Sequence, residues 1–229
     1  MSHRLFRFVA AVAIGATCAT IPYSRHAFAS TTSGSLTFTN TPLLRPDGDS
    51  EPAISIGPAN VMALTGLSWL DFGTNLWTGP FGATPTFRGQ VDAGLQQTGR
   101  RVFGGGDADV DIGSTGTLHA TTLIFIANKP LTSAQLGVSV ITCPNGQSSS
   151  FDLSGCTKQI IDTAGDDRQW MSSDGPTVYV SYHDSGNSSL IHVQRSDDDG
   201  FTWSKVGSPI VGQGRDIPCE SFMNSPPTA

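Results

Sequence analysis

The side chains of this chain best suited to chemistry are a set of carboxylates and one arginine set among them. Asp107, Asp109 and Asp111 alternate along a short run, Asp167 stands beside Arg168, and Glu51 opens a similar run nearer the start. Crowded carboxyl groups move protons, because one of a close pair keeps its proton at a pH where an isolated one has lost it. A guanidinium among them grips a carboxylate through two parallel N–H donors. The same acids raise a metal reading. An EF-hand loop starting at Asp107 needs glycine at its sixth position and glutamate at its twelfth. Ile112 and Leu118 stand there instead. Three alternating carboxylates repel one another unless a cation or hydrogen-bond donors screen them. Calcium therefore stays open as a ligand beside the reading of a solvated rim, and no other metal or cofactor is predicted. His183 and Asp184 look like an acid–base pair, but adjacent strand residues point to opposite faces. Asp184 to Asn187 reads better as a hairpin turn. The sequence contains no glycine-rich phosphate loop, zinc spacing or Gly-x-Ser-x-Gly elbow.

Strands must position these residues. Long helical periodicity is absent, and 26 glycines and 14 prolines punctuate short β-branched and aromatic runs. Such runs are Ile54–Ile56, Val61–Leu64, Leu118–Ile126, Leu136–Thr142, Val178–Tyr182 and Leu190–Arg195. Short strands separated by turn residues predict an all-β sandwich, barrel or propeller. An internal repeat chooses among them. Asp107–Thr122 and Asp167–Tyr182, offset by 60 residues, each read as carboxylate, short strand, glycine turn and second alternating strand. A weaker copy begins at Glu51. A period of roughly 50 to 60 residues suits propeller blades with loop insertions; chance likeness of two hairpins is the alternative. In a propeller the innermost strand of each blade starts near the central axis, where ligands bind. The copies place Glu51, Asp107, Asp109, Asp111, Asp167 and Arg168 around those starts. Glu51, Asp107, Asp109 and Arg168 are thus the expected ligand contacts, with Asp167 and Arg168 the catalytic candidates. The competing expectation is that Asp167 and Arg168 pair with each other, or that Arg168 stacks near Trp170.

Ser196-Asp197-Asp198-Asp199-Gly200-Phe201-Thr202-Trp203 fits the pattern Ser-x-Asp-x-Gly-x-Thr-Trp at every fixed position. Asp198 can accept hydrogen bonds from its own turn. Gly200 can take a positive φ, and Trp203 can fold onto the hairpin as an apolar plug. The segment resembles the Asp-box, or BNR repeat, of sialidase-like propellers, where it joins the third and fourth strands of a blade. Ser196, Asp198, Gly200, Thr202 and Trp203 are structural by this resemblance. Asp71–Trp77 reads as a degenerate copy with its tryptophan displaced.

The resemblance spans roughly residues 50 to 215 and implies about three four-stranded blades, a partial propeller where the family closes with six. It further implies a secreted glycoside hydrolase of sialidase type, or a fragment of one. Such enzymes use an arginine triad for the substrate carboxylate, an Asp acid/base and a Tyr–Glu nucleophile pair. This sequence departs from that pattern. The Phe/Tyr-Arg-Ile-Pro segment is missing, and Glu51 and Glu220 are its only glutamates. The alternative is a non-catalytic extracellular propeller that binds glycan or protein.

The first 29 residues read as a secretory signal peptide: Arg4 and Arg7, an apolar run from Phe8 to Ala19, then Ala27-Phe28-Ala29 before a cut. The run is too short for a membrane span. Residues 30–50 read as a linker, 51–215 as the blades and 216–229 as an irregular tail. Cleavage removes three of the 13 basic residues and none of the 19 acidic ones, leaving a net charge of −9. Such a chain has no electrostatic basis for holding phosphate backbones or anionic lipid. A glycan or other extracellular ligand is the expected partner, the location extracellular or periplasmic, and the oligomeric state open. In an oxidising compartment Cys143 and Cys156 can close a short loop as a disulfide; two reduced, buried thiols are the alternative.

Overall fold

The computed structural model describes residues 43, 49–68, 70–184 and 190–210. The signal peptide, most of the linker and the tail with Cys219 and Glu220 lie outside the described residues, as does most of the Asp184–Asn187 turn. The described residues form three antiparallel sheets in chain order. The first blade runs β1 (Ser50–Ile56), β2 (Val61–Ser68), β3 (Gly73–Pro80) and β4 (Thr86–Gln90). The third runs β10 (Asp166–Asp174), β11 (Thr177–Asp184), β12 (Leu190–Ser196) and β13 (Ser204–Ile210). Both are simple meanders, as blades are.

The middle blade differs. Its β7 (Leu118–Asn128), β8 (Ala134–Cys143) and β9 (Thr157–Asp162) follow the same plan. Two short strands, β5 (Arg100–Phe103) and β6 (Ala108–Ile112), share the inner edge of β7. Gly104-Gly105-Gly106 interrupts what is otherwise one strand. Gly105 has φ +89°, and a Cβ there would meet the Phe72 and Gly73 backbone at 2.9–3.0 Å. Only glycine meets both demands. Asp92, buried beside this crossing, accepts from Thr74 N at 2.9 Å and Gly105 N at 3.3 Å, so one carboxylate ties the first blade to the second. Burial pushes the Asp92 carboxyl above its usual range, against the pull of these donors.

Alternation along each strand builds the core. On β11, Val178, Val180 and Tyr182 are buried while Tyr179 is exposed. With Met171 they pack on Val138 and Val140 of the middle blade. On the other side of that blade, Val110, Ile112, Leu118, Ala120 and Ile141 meet Ala63 and Leu76 of the first. Burying one such aliphatic side chain contributes roughly 1.5–3 kcal/mol. The blades are thus layers sharing two apolar seams.

A strap crosses the first seam. Cys143 and Cys156 form a disulfide closing the loop between β8 and β9. The loop's Gln147 Oε1 accepts from Ala59 N, in the β1–β2 turn, at 2.8 Å. Arg88 of β4 donates to Phe151 O at 3.0 Å, and its guanidinium lies 5.8 Å from the Phe151 ring. A disulfide closing a loop of this size contributes about 3 kcal/mol by restricting the unfolded chain. Thermal melts with and without a dithiol reductant should show that loss, and exchange protection of the Ala59 amide should fall first. Identical melts would remove the strap from the account.

Candidate functional site

The inner strands β1, β6 and β10 lie side by side, joined by side chains. Ser55 Oγ accepts from Ile112 N at 3.0 Å and donates to Asp111 Oδ1 at 3.2 Å. Asp111 Oδ2 accepts from Ser173 N at 2.8 Å and Ser173 Oγ at 2.6 Å. Asp109 Oδ2 accepts from Met171 N at 2.9 Å, and its Oδ1 accepts from Val110 N at 2.9 Å. Each blade thus offers an acceptor to the backbone of the next. Asp109, expected among the ligand contacts, is committed to the seam between β6 and β10. Asp109 and Asp111 are screened by protein donors. Among the described residues no group of three or more His, Cys, Asp or Glu is arranged to hold a metal ion.

These bonds also set which residues are equivalent. Ser55 and Asp111 do the same task one blade apart, and Ile112 and Ser173 receive it. Counting back along the strands brings Glu51, Asp107, Asp167 and Arg168 to the three strand starts. The sequence repeat had aligned Asp107 with Asp167. The strand pairing agrees: Ile112 faces Leu118 and Ser173 faces Val178, and five residues further along the partner strands Leu123 bonds Asp107 while His183 faces Asp167, the bulge between Asp167 and Trp170 supplying one extra residue. A matching irregularity lies in β1 between Ser50 and Ala53. At these bulges Glu51 and Arg168 adopt positive φ, +50° and +47°. Non-glycine residues in that region cost of order 1–3 kcal/mol and cluster where a side chain must be aimed.

The four residues meet electrostatically. Glu51 shares a hydrogen bond with Asp107, and that bond, with partial burial and the Asp107 charge, raises its carboxyl above the usual range. Arg168 pulls in the opposite direction, and Asp167 adds to the rise. Asp167 Oδ1 accepts from Arg168 N at 3.0 Å, fixing the turn. The Asp107 carbonyl accepts from Leu123 N at 2.8 Å and from Gln169 Nε2, so its backbone is held from two blades. The result is a rim carrying a proton-sharing carboxyl pair with a cation among its acids. It can accept from and donate to hydroxyls, and can grip an anionic group.

Residues Ser196 to Trp203 form the turn between β12 and β13, the third and fourth strands of their blade. Ser196 Oγ donates to Asp198 Oδ1 at 2.7 Å and accepts from Gly200 N at 2.9 Å. Asp198 also accepts from Thr202 N and Thr202 Oγ1, both at 2.7 Å. The Thr202 hydroxyl foremost, with the amide and Ser196, holds the Asp198 carboxyl down to about 2. Trp203 Nε1 donates to Gly200 O at 3.0 Å, and Trp203 packs against the seam with the middle blade. The turn also grips that blade. Asp199, at a variable position of the motif, accepts from Thr115 Oγ1 at 3.0 Å and from Thr117 Oγ1, and lies 3.4 Å from His119 Nε2. Asp71–Trp77 is not a second such hairpin. It spans the β2–β3 turn, and Trp77 sits within β3, tilted against Phe87 at 5.5 Å.

A second polar group lies at the seam between the middle and third blades. Tyr182 Oη donates to Asp162 Oδ2 and accepts from Gln194 Nε2 at 3.0 Å. Burial and the bond to Asp162 drive the Tyr182 hydroxyl far above its usual range. Tyr182 is buried within the seam, although a tyrosine beside a carboxylate invites a nucleophile's role. Asp184 Oδ2 lies 3.1 Å from His192 Nε2, so the acid–histidine pair forms across strands, with His183 on the opposite face. Asp166 is fully buried, and among the described residues neither carboxylate oxygen has a hydrogen-bond partner. Burial first, then the charges of Asp162 and Asp184, pushes it up to about 7.

No protein-family model matches the chain, and no curated protein sequence matches it. Several solved structures do. The Hadza microbial sialidase Hz136 is 13% identical over 70% of this chain, with a TM-score of 0.42. Zg3597, a family 117 glycoside hydrolase of the marine bacterium Zobellia galactanivorans, is 13% identical over 73%, with a TM-score of 0.46. The Bombyx mori GH32 beta-fructofuranosidase BmSUC1 is 11% identical over 72%, with a TM-score of 0.45. The chain spans 34%, 49% and 36% of the lengths of these three proteins. The three successive sheets and their shared inner row make this an all-β chain of propeller blades.

Proposed function

We propose that this is an exported, sialidase-like propeller protein that binds a glycan at the rim formed by Glu51, Asp107, Asp167 and Arg168. One observation carries the reading: three successive inner strands start with charged residues that act on one another, Glu51 and Arg168 at matching bulges on left-handed backbone and Asp107 and Asp167 beside them. Arg168 suits the carboxylate of a sialic acid, and the carboxyl pair suits sugar hydroxyls. Binding is favoured over hydrolysis by the closeness of the pair. Glycosidases hold their two carboxyl groups about 5 Å or more apart, with the sugar between them, whereas Glu51 and Asp107 share a hydrogen bond. The hydrolase reading keeps one point in its favour: a carboxyl raised above its usual range is what a general acid requires. An extracellular or periplasmic location follows from the signal-peptide reading. Among the described residues no helix is long and apolar enough to cross a membrane.

Calorimetric titration with a sialyl-oligosaccharide, run beside a fluorogenic sialoside assay, separates these readings. Binding without turnover is expected, weakened at least about tenfold by Arg168→Ala, the loss of a charge-assisted contact. Turnover abolished by Glu51→Gln would establish the hydrolase reading instead. A folded protein that neither binds nor cleaves would end both.

A further inference from the structure

Each inner strand presents an acceptor to the blade after it and an apolar edge to the blade before it. Ser55 and Asp111 are the acceptors of the two described seams. Ser172 holds their place in the third blade and is exposed. Register puts Trp170, Ser172, Tyr179, Ser181 and Arg195 on one face of that sheet. Trp170 and Tyr179 are each 40% exposed. At the opposite end of the row, Ile54 and Ile56 hold the places of Val110 and Ile112. The latter two are buried against the first blade, whereas Ile54 and Ile56 are 58% and 47% exposed. The row therefore ends in an acceptor face with no blade upon it and an apolar edge with no blade behind it, among the described residues. Further out on that backward face Trp77 and Asn75 are already buried, so the bare surface is confined to the inner strand.

We infer that these two ends meet between copies of this chain, Trp170, Ser172 and Tyr179 of one receiving Ile54 and Ile56 of another. The contact continues the inner row, repeating the relation that Ser55 makes with Ile112 and Asp111 with Ser173. A second copy is the occupant because it supplies the matching edge at the matching spacing. Such a head-to-tail contact is heterologous: it closes into a ring if the rotation permits and extends into a chain otherwise.

Sedimentation of the full chain over a wide concentration range tests this. The expected mass rises with concentration from one protomer upward. Trp170→Asp and Ile54→Asp should each move the midpoint up by at least about tenfold. An equimolar mixture of the two variants should recover a one-to-one complex, because each keeps the surface the other lacks. Ser172→Arg and Ile56→Asp replace either variant if it fails to melt cooperatively. A folded wild type of single-protomer mass throughout would overturn the inference. So would variants that associate like wild type, or a mixture that associates no better than its components.

Discussion

Asp111→Ala is expected to lower the melting temperature by about 5–15 °C, through a loss of roughly 2–4 kcal/mol. Asp111 bonds both neighbouring inner strands, through Ser55 on one side and the Ser173 amide and hydroxyl on the other. Truncation strands the Ser173 amide against a neighbour that no longer accepts, and an orphaned donor costs more than the mean worth of the bond. Asp111→Asn keeps one acceptor oxygen and should cost less than half as much. A melting temperature within about 1 °C of wild type for the alanine variant would mean that the seams are held by their apolar sides alone.

Asp166→Asn should stabilise the protein at pH 8 by up to about 4 kcal/mol and change little at pH 4. The direction follows from the raised carboxyl. Folded Asp166 holds its proton up to about 7, while an unfolded aspartate releases it near 3.8. Between those values the native state binds more protons than the unfolded state, so its contribution is fully present below 3.8 and lost as pH rises through 7. Other groups run the opposite way. The lowered Asp198 and Asp162 carboxyls lose their contributions as pH falls below 3.8. Buried His119, lowered chiefly by desolvation, loses its contribution as pH falls below 6.5. The informative quantity is therefore the difference between variant and wild type at each pH, measured by denaturant unfolding. A difference independent of pH would show that Asp166 titrates normally.

The sequence carried the blades well where strands are long and β-branched, as in β7, β8 and β11. It missed β5 because three glycines separate it from β6, and it missed β9 and β13, outer strands without a fully apolar face. The turn from Ser196 to Trp203 was legible because its bonds close within eight residues. The role of Asp199 was not, since its partners Thr115 and Thr117 belong to another blade. Asp109 and Asp111 looked like ligand carboxylates for the same reason: their donors lie 62 residues away. Glu51, Asp107 and Arg168 were legible as strand starts. The bulges that set Glu51 and Arg168 on left-handed backbone were hidden, because local sequence does not reveal them. Asp166, one residue from a chosen candidate, was overlooked because burial cannot be read from a run of acids.

The convergence of the three strand starts can be measured at one atom. Following the Glu51 carboxyl carbon by NMR through a pH titration, in wild type and in Asp107→Ala, should give a raised midpoint that drops once the neighbouring carboxyl is gone. If Glu51 titrates in its ordinary range and ignores the change at position 107, the blades do not bring these side chains together, and the proposed glycan site loses its basis.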